Sequence, residues 1–491
     1  MTLNLENLWQ IFLSGKVIWS LCGGALLCIL VDSLWPKRMT SLVFGVALLS
    51  LIFSLILAFD QWLHPETLGN QDLLVIDRLT LFFLILVIVI AIFTLLNALG
   101  YLRLHENLTA EFSSLILLSV VGMVFLFASD HLILNFIGLE TMSLAVYVLV
   151  GSHKKNTKSN EAAVKYYILG SVASAILLYG IALFYGAFGT LKLSQLAYVV
   201  SAPELAYLPK IALGLILTGL FFKLAIVPFH FWAPDVYQGA PAPVTGFMAT
   251  GVKAAALGFG LRVFLELGTM NLPQIQVLLQ WVIVATFLVG NLVAIAQDDV
   301  KRMLAYSSIA HAGFLIFGLL AGFENGVYQR ENSSSVLFYL LGYSFMTLGA
   351  FAFLSLLVQE KKEATSFGDL SGLGHTHPIL AAVFGLFMLS LLGLPGTVGF
   401  AVKYNVIALA VKNGHIALSI VAVLTSVISA FYYLRPISVM YFRESSSAAV
   451  IQEIPLTLYV SLTVCAFAVI YLGLQPDLYL EFSKIAVSVF S

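Results

Sequence analysis

Long uninterrupted runs of apolar residues dominate the chain and alternate with short polar or glycine- and proline-bearing turns. A helix needs about 20 apolar residues to cross the hydrocarbon core of a bilayer, and fourteen stretches of roughly that length can be counted. We therefore predict an all-α polytopic membrane protein with about 14 transmembrane helices. The predicted spans are 17–34, 41–59, 78–100, 112–129, 132–151, 162–186, 208–228, 244–265, 277–297, 303–322, 335–358, 378–411, 415–440 and 456–474.

Two of the predicted spans contain a proline that interrupts them. Pro228 follows Lys223 by five residues, and Pro395, flanked by glycines, divides a stretch that is too long for one straight helix. Because proline lacks the N–H that would bond the carbonyl four residues earlier, we expect the carbonyls of Leu224 and Leu391 to be freed. The two interrupted segments lie about 170 residues apart, a faint duplication of the kind found in transporters that are built from repeats.

Composition supports a membrane protein and excludes several functions. Of 491 residues, 60% are hydrophobic and 10% are charged, against roughly 45–50% and about 25% in soluble domains. A net charge of −1 leaves no basic face for nucleic acid. The chain has no G-x-x-x-x-G-K-[ST] phosphate loop, and its three cysteines cannot supply the four thiolates of an iron–sulfur cluster. We therefore expect no cofactor, metal or redox centre in this chain, and we expect an ion gradient or a partner to supply the driving energy.

The basic residues of the short loops predict the orientation. With the N-terminus outside, twelve of them fall on the cytoplasmic side and seven on the opposite side. With fourteen spans, both termini are then predicted on the periplasmic side. The first apolar run, 17–34, lacks the basic start and cleavage site of a signal peptide, so it is expected to remain as a span.

Five charged residues remain inside or at the edge of apolar spans when the loop charges are set aside. Each costs about 2.5–3.5 kcal/mol at a helix centre on insertion scales, so such residues are usually kept for a function. Lysine suits a proton relay, because burial disfavours its ammonium form and a nearby carboxylate restores it. Glu140 is the one acid deep in a span and is the candidate partner, although the sequence does not tell which lysine it pairs with. The five are Glu140, Lys165, Lys223, Lys253 and Lys403.

Some of these residues have an equally good structural explanation. A lysine near a span end can extend its ammonium to the headgroups, and this alternative is strongest for Lys165. Glu161 precedes Lys165 by four residues, a spacing that fits local helix support as well as a relay. His230 and His311 are the histidines nearest to span interiors, and they could pass protons or act as hydrogen-bonded packing residues.

One long motif is specific enough to indicate a family. The run 222–241 reads F-K-L-A-I-V-P-F-H-F-W-A-P-D-V-Y-Q-G-A-P. It resembles the motif of the antiporter-like membrane subunits of respiratory complex I, and within that family the chain is most similar to the N subunits of the bacterial NADH:quinone oxidoreductase. Supporting matches are the segment around Glu140, the segment 161–165, the run K-R-M-L-A-Y-S-S-I-A-H at 301–311, and the run from Gly393 to Lys403.

The resemblance implies a fold and a set of boundaries. Two inverted five-helix repeats, each with a broken helix, would follow an N-terminal three-helix segment, and the whole would lie in the membrane arm of the complex. The implied units are 1–110 for the N-terminal segment, 111–265 and 276–440 for the repeats, and 441–491 for a C-terminal helix.

The resemblance also implies roles for the buried residues. Glu140 would pair with Lys223, Lys253 would continue a hydrated axis, and Lys403 would occupy the other half-channel. His311 would stand at a relay position in a second repeat that has no acid equivalent to Glu140. Lys165 matches a further lysine of the family.

The function that the resemblance implies is proton pumping coupled to electron transfer in other subunits. Those subunits would hold the flavin and the iron–sulfur clusters, and both membrane-arm and peripheral-arm subunits would be partners of this chain in a bacterial inner membrane. The first alternative is a subunit of a multi-chain sodium/proton antiporter or a membrane-bound hydrogenase. Others are a stand-alone transporter of a small solute and a structural anchor whose buried charges fix helix register.

Overall fold

Helices make up nearly all of the regular structure. The computed structural model describes residues 15–34, 40–64, 69–70, 73–105, 111–195, 207–267, 273–324, 326–359, 362–444, 451 and 454–488. Between the helices lie three short antiparallel hairpins: β1 (Gly69–Asn70) with β2 (Val75–Ile76), β3 (Phe323–Glu324) with β4 (Val327–Tyr328), and β5 (Val358–Gln359) with β6 (Lys362–Glu363).

The first half of the chain contributes ten α-helices among the described residues. They are α1 (Lys16–Leu34), α2 (Thr40–Leu63), α3 (Arg78–Leu104), α4 (Glu111–Ala128), α5 (Leu132–Val150), α6 (Thr157–Phe188), α7 (Leu208–Leu224), α8 (Trp232–Gly239), α9 (Ala242–Phe247) and α10 (Lys253–Leu267). A π-turn, Met248–Val252, joins α9 to α10.

The second half continues in the same way. Its helices are α11 (Pro273–Ile295), α12 (Val300–Ala321), α13 (Ser334–Leu354), α14 (Leu373–Thr376), α15 (Pro378–Leu392), α16 (Val398–Lys412), α17 (Ile416–Phe442), α18 (Leu456–Leu474) and α19 (Pro476–Val487). Short 3-10 turns lie at Leu193–Gln195, Arg330–Ser333 and Phe367–Leu370.

The predicted membrane spans correspond to these helices. Within the described ranges, twelve helical segments are long and apolar enough to cross a membrane. The two other predicted spans are 208–228 and 378–411, which contain Pro228 and Pro395. The first corresponds to α7, which ends at Leu224 and is followed by the short helix α8, and the second is divided into α15 and α16. The fold class of a polytopic helical membrane protein with two broken helices is thus confirmed.

The first break begins before the proline. α7 ends at Leu224, and Ala225 adopts the left-handed conformation with a φ of 57°. This conformation costs a non-glycine residue roughly 1–2 kcal/mol. The N–H groups of Ala225 and Ile226 donate back into the last turn at 3.0 Å. The helix thus ends at Leu224, the residue whose carbonyl was predicted to be freed, but the turn at Ala225 ends it three residues before Pro228.

The second break matches the prediction. α15 ends at Leu392, and the chain turns through Gly393 with a φ of 99°, which glycine adopts without steric penalty. The two half-helices then approach closely, because a methyl group at Gly399 would overlap the carbonyl oxygen of Ser390. Pro395 lies in the turn between them.

Burial separates a central set of helices from a peripheral one. In the most apolar stretch of the spans Val300–Ala321 and Arg330–Leu354, 94% and 89% of the residues are buried inside the chain. In the same stretch of α1, α2 and α18, only 33% are buried. Peripheral helices with this exposure suit contact with lipid or with neighbouring subunits. Lys253 and His311, discussed below, lie on two of the best-covered spans, Ala242–Glu266 and Val300–Ala321.

The C-terminal segment differs from its prediction. The unit 441–491 was expected to hold one helix, but α18 is followed by the short helix α19. Phe482 of α19 packs against the rings of Trp62 and Phe82 at 4.5 and 5.6 Å between centroids. The other unit boundaries, 1–110, 111–265 and 276–440, stay predictions, and both chain termini lie outside the described residues.

Candidate functional site

Three lysines lie in the interior of the bundle. The exposed fractions of Lys223, Lys253 and Lys403 are 1%, 1% and 7%, so their ammonium groups do not reach the surface. Snorkelling to the headgroups is therefore excluded for all three. None of them forms an ion pair with an acid in the described part of the chain, and each is held by neutral oxygens and aromatic rings.

Lys223 sits in the last turn of α7 beside α5. Its Nζ donates to Ser143 Oγ at 2.8 Å and to Tyr147 OH at 3.2 Å. The rings of Tyr147 and Tyr166 lie 5.4 and 5.7 Å from the same nitrogen, within the range of cation–π attraction. Hydroxyls and ring faces, both neutral, thus surround this ammonium.

Glu140 is close in sequence to these partners but does not pair with Lys223. Glu140, Ser143 and Tyr147 follow one another at three and four residues, so they share a face of α5. The Oε1 atom of Glu140 is buried and has no hydrogen-bond partner in the described structure. The pair that the resemblance implied is therefore not formed here, because Ser143, one turn further along α5, takes the ammonium instead.

Lys253 connects the first broken helix with α12. It is the first residue of α10, directly after the π-turn, a feature that often marks functional sites. Its Nζ donates to the carbonyl oxygen of Ser308 at 2.5 Å and to Ser308 Oγ at 2.6 Å. The hydroxyl of Tyr343 donates to the same Oγ at 2.9 Å, and that of Tyr237 lies 3.5 Å away. Ser308 therefore joins Lys253 to two buried tyrosines.

His311 lies one turn beyond Ser308 on α12. Its Nδ1 is 2.7 Å from Tyr339 OH, and its Nε2 is 3.1 Å from Tyr433 OH. Tyr433 also hydrogen bonds to Ser307. Because both ring nitrogens have a hydroxyl partner, the imidazole can receive a proton on one side and release one on the other.

Lys403 uses the carbonyls that the second break frees. Its Nζ donates to the carbonyl oxygens of Leu391 and Leu392, each at 2.9 Å, and lies 5.4 Å from the ring of Phe314. The prediction that the break near Pro395 frees the Leu391 carbonyl is confirmed. The structure adds that this carbonyl accepts a hydrogen bond from the lysine twelve residues later in the chain.

A small cavity separates Lys403 from His311. Its volume is about 10 Å³, which is the space that one water molecule needs. Both residues line it, together with polar side chains that could hold such a water, Asn291, Ser426, Ser429, Tyr432 and Tyr433. Lys253 is hydrogen bonded to Ser308, His311 follows one turn further along α12, and the cavity lies between His311 and Lys403. We call these four residues, together with Lys223, the lysine axis.

Lys165 lies apart from the lysine axis. Its Nζ contacts Glu161 at 2.7 Å and Asp235 at 3.0 Å, and 43% of its side chain is exposed. Asp235 also binds Arg302 at 2.6 Å. Glu161 and Lys165 thus form the ion pair on one helix face that their spacing predicted. The structure does not bring either residue together with the buried lysines.

His230 is buried in the first break but is not joined to the axis. Its exposed fraction is 7%, its ring packs on Phe231 at 4.5 Å between centroids, and its Nδ1 has no hydrogen-bond partner among the described residues. A relay role for His230 stays a prediction. The described side chains also include no group of three His, Cys, Asp or Glu that could hold a metal ion.

The sequence did not single out the hydroxyls of the axis. Uncharged serines and tyrosines are common in membrane helices, so they carry no insertion cost that marks them. A weak signal was present in their spacing, since Ser308 and His311 share a face of α12, as do Glu140, Ser143 and Tyr147 on α5. The residues that were missed are Ser143, Tyr147, Ser308, Tyr339, Tyr343 and Tyr433.

Comparison with known proteins places this arrangement among related chains. A family model described as NADH:quinone oxidoreductase/Mrp antiporter, transmembrane, matches residues 129–429, a range that includes the whole lysine axis and Glu140. NADH-quinone oxidoreductase subunit N of Trichlorobacter lovleyi is 37% identical over 495 residues and covers 100% of both chains. NADH-quinone oxidoreductase subunit N 1 of Sorangium cellulosum is 42% identical and covers 84% of each.

Solved structures show the same fold. A chain of respiratory complex I from Thermus thermophilus with bound aureothin superimposes with a TM-score of 0.81 at 35% identity, covering 95% of this chain and 98% of that one. A chain of the Mrp complex from a Dietzia species gives a TM-score of 0.82 at 22% identity, covering 99% and 97%. Because the identity is only 22%, the second match is evidence for the fold alone.

Proposed function

This chain belongs to the NADH:quinone oxidoreductase/Mrp antiporter family of transmembrane subunits. From this premise we propose that it moves protons across the membrane as a subunit of an NADH:quinone oxidoreductase. The resemblance based on the motif at 222–241 is confirmed, and the subunit is of the N type. The observation that carries the proposal is the lysine axis. It holds three buried lysines, none with an ion-pair partner among the described residues, whereas a single buried charge would be enough to fix the register of the helices.

Protons move along the axis through groups that can both donate and accept. Lys253 exchanges a proton with the hydroxyl of Ser308, and Lys403 exchanges a proton with the imidazole of His311. Lys223 takes part through its hydrogen bonds to Ser143 and Tyr147. The order of the residues along the lysine axis is then the order of the proton transfers.

Glu140 is the switch that loads Lys223. The carboxylate lies about one helical turn from Ser143, which now holds the ammonium, and one turn is about 5.4 Å. If the Lys223 ammonium shifts by this distance, it leaves the neutral hydroxyl of Ser143 and reaches the carboxylate of Glu140. Because the ion pair favours the protonated amine, its formation loads the site and its separation releases the proton.

Electron transfer in partner subunits drives this switch. The flavin and the iron–sulfur clusters are held by those partners, so this chain contributes no redox centre to the oxidation of NADH or the reduction of quinone. Its partners are the other membrane-arm and peripheral-arm subunits. We place the chain in a bacterial inner membrane, with both termini on the periplasmic side.

Replacement of Lys223 by alanine tests the proposal. In the assembled complex, Lys223→Ala leaves NADH oxidation measured with an uncoupler close to wild type but lowers the number of protons pumped per electron in vesicles. Lys210→Ala is the matched control, because Lys210 lies on the same helix at its exposed end. An unchanged proton-to-electron ratio in assembled Lys223→Ala overturns the proposal, as does co-purification with antiporter subunits and no flavin protein.

A further inference from the structure

A buried ion pair that does not belong to the lysine axis lies at the end of the bundle where α12 begins. Lys301, the second residue of α12, has a fully buried side chain, and its Nζ lies 2.6 Å from Oε2 of Glu363. Glu363 ends the hairpin β5–β6, and 15% of its side chain is exposed. Burying two charges is costly, so the presence of the pair is not explained by stability alone.

The remaining contacts of the pair are made to one short piece of backbone. Lys301 donates to the carbonyl oxygen of Ala240, and Oε1 of Glu363 accepts the N–H of Ala242 at 2.8 Å. We call Ala240–Ala242, which separates α8 from α9, the joint. The hydroxyl of Tyr101 is close enough to Glu363 to help lower the pKa of its carboxyl. The ion pair therefore binds both polar groups of the joint, because Lys301 donates to its carbonyl and Glu363 accepts from its N–H.

The joint is rigidly connected to Lys253. α9, the π-turn and α10 form one continuous helical span, so Ala242 and Lys253 are about 16 Å apart along it at 1.5 Å per residue. On α12, Lys301 and Ser308 are about 10 Å apart by the same measure. The two helices are thus tied at the joint by the ion pair and again, inside the membrane, by the bonds from Lys253 to Ser308.

We propose that Glu363 and Lys301 are positioning residues that fix the axial register of Lys253 against Ser308 and thereby permit proton exchange along the lysine axis. This inference rests on the proposed function. The pair fixes the joint to the start of α12, and the bonds of Lys253 to Ser308 then join the two helices seven residues further along α12. A displacement of about 1 Å at a reacting group is enough to cost a large factor in rate.

The ionisation of the surroundings agrees with a holding role. Burial alone would raise the pKa of Glu363, but the Lys301 ammonium and the donated hydrogen bonds lower it below its ordinary value. Burial lowers the pKa of His105 and of His153, whose rings pack on Tyr101. The lowered pKa favours the charged carboxylate of Glu363 near neutral pH, as a holding role requires.

The first test is Glu363→Leu in the complete complex. We expect the proton-to-electron ratio to fall by about twofold or more, while NADH oxidation with an uncoupler and the KM for quinone stay at wild-type values. A merely structural role would lower all activities together with the amount of complex. Asp298→Asn is the matched control, since it breaks an ion pair with Arg435 at the same end of the bundle without touching the joint.

Reversal of the pair separates the proposal from a simple ion pair. Glu363→Lys combined with Lys301→Glu restores opposite charges, but a lysine cannot accept the Ala242 N–H and a glutamate carboxylate cannot donate to the Ala240 carbonyl. We therefore expect no recovery of the ratio. Glu363→Gln, which keeps an acceptor for Ala242, is expected to lie between Glu363→Leu and wild type, and it serves as the test if Glu363→Leu does not assemble.

Three outcomes overturn the inference: a wild-type ratio in Glu363→Leu, a wild-type ratio in Glu363→Gln, or full recovery in the reversed pair. Lys253→Ala, measured in parallel, distinguishes this failure from failure of the proposed function. If Lys253→Ala stops pumping and the Glu363 variants pump normally, only the positioning role is wrong. If Lys253→Ala pumps normally, the proposed function itself is wrong.

Discussion

At the scale of single residues, the three buried lysines have different environments although their exposure is similar. Lys223 is held by hydroxyls, Lys253 by one serine, and Lys403 by the free carbonyls of a broken helix. The charges were predictable from the sequence, because a lysine in an apolar run is conspicuous. Their partners were not, since a serine in a membrane helix most often bonds only to its own backbone, as Ser344 does to Leu340.

The link between His311 and Tyr433 yields a prediction at this scale. Tyr433→Phe removes one hydroxyl that partners the imidazole and leaves the ring in place, so we expect the rate of proton pumping to fall several-fold with little loss of assembled complex. Tyr328→Phe is the control, because Tyr328 is also buried and its hydroxyl hydrogen bonds to Ser333, which is not part of the axis. Initial rates of acidification in vesicles measure both. Equal rates for the two variants would contradict a relay through Tyr433.

At the scale of helices, the two breaks show what a sequence pattern can predict. Near Pro395 the glycines on both sides mark the turn, so the freed carbonyl of Leu391 could be anticipated. At the first break the turn depends on Ala225 in a left-handed conformation, which alanine seldom adopts and which no local pattern indicates. Tertiary contacts hold it there, among them the bond from Trp232 Nε1 to the carbonyl of Phe222. Local sequence therefore placed one break correctly and the other a few residues late.

The contact between α4 and α5 gives a prediction at the helix scale. A methyl group at Gly138 would lie 2.5 Å from the backbone nitrogen of Leu126, so Gly138→Ala must push the two helices apart. Glu140 and Ser143 move with α5, and we expect both assembly and the proton-to-electron ratio to decrease. Alanine favours a helix over glycine by about 1 kcal/mol, so a loss would be due to the overlap.

Gly186→Ala is the control for this prediction. Gly186 lies on α6, and a methyl group there meets nothing within 4 Å. Both variants are compared by the amount of complex in the membrane and by pumping in vesicles. Normal pumping in Gly138→Ala would mean that the spacing of α4 and α5 does not matter to the site.

At the scale of the whole molecule, the well-covered helices carry the lysine axis and the peripheral helices cover it. The fold class and the spans followed from hydropathy, because every helix must satisfy its own backbone in lipid. The course of the axis did not, since it depends on which faces of α5, α7, α10, α12 and α16 meet. Lys165 illustrates the difference: in sequence it resembles the other buried lysines, but packing places it beside Asp235 in a partly exposed network.

The axis is a single file, and this arrangement predicts how its variants combine. If protons pass Lys253, His311 and Lys403 in series, a block at one point stops the flow through all of them. The pumping rate of Lys253→Ala combined with Lys403→Ala should then equal that of the slower single variant. If the lysines served two parallel paths, each single variant would keep part of the rate and the double variant would lose the sum of both deficits. A double-mutant cycle on initial pumping rates, with uncoupled NADH oxidation as the measure of intact complex, decides between the two arrangements.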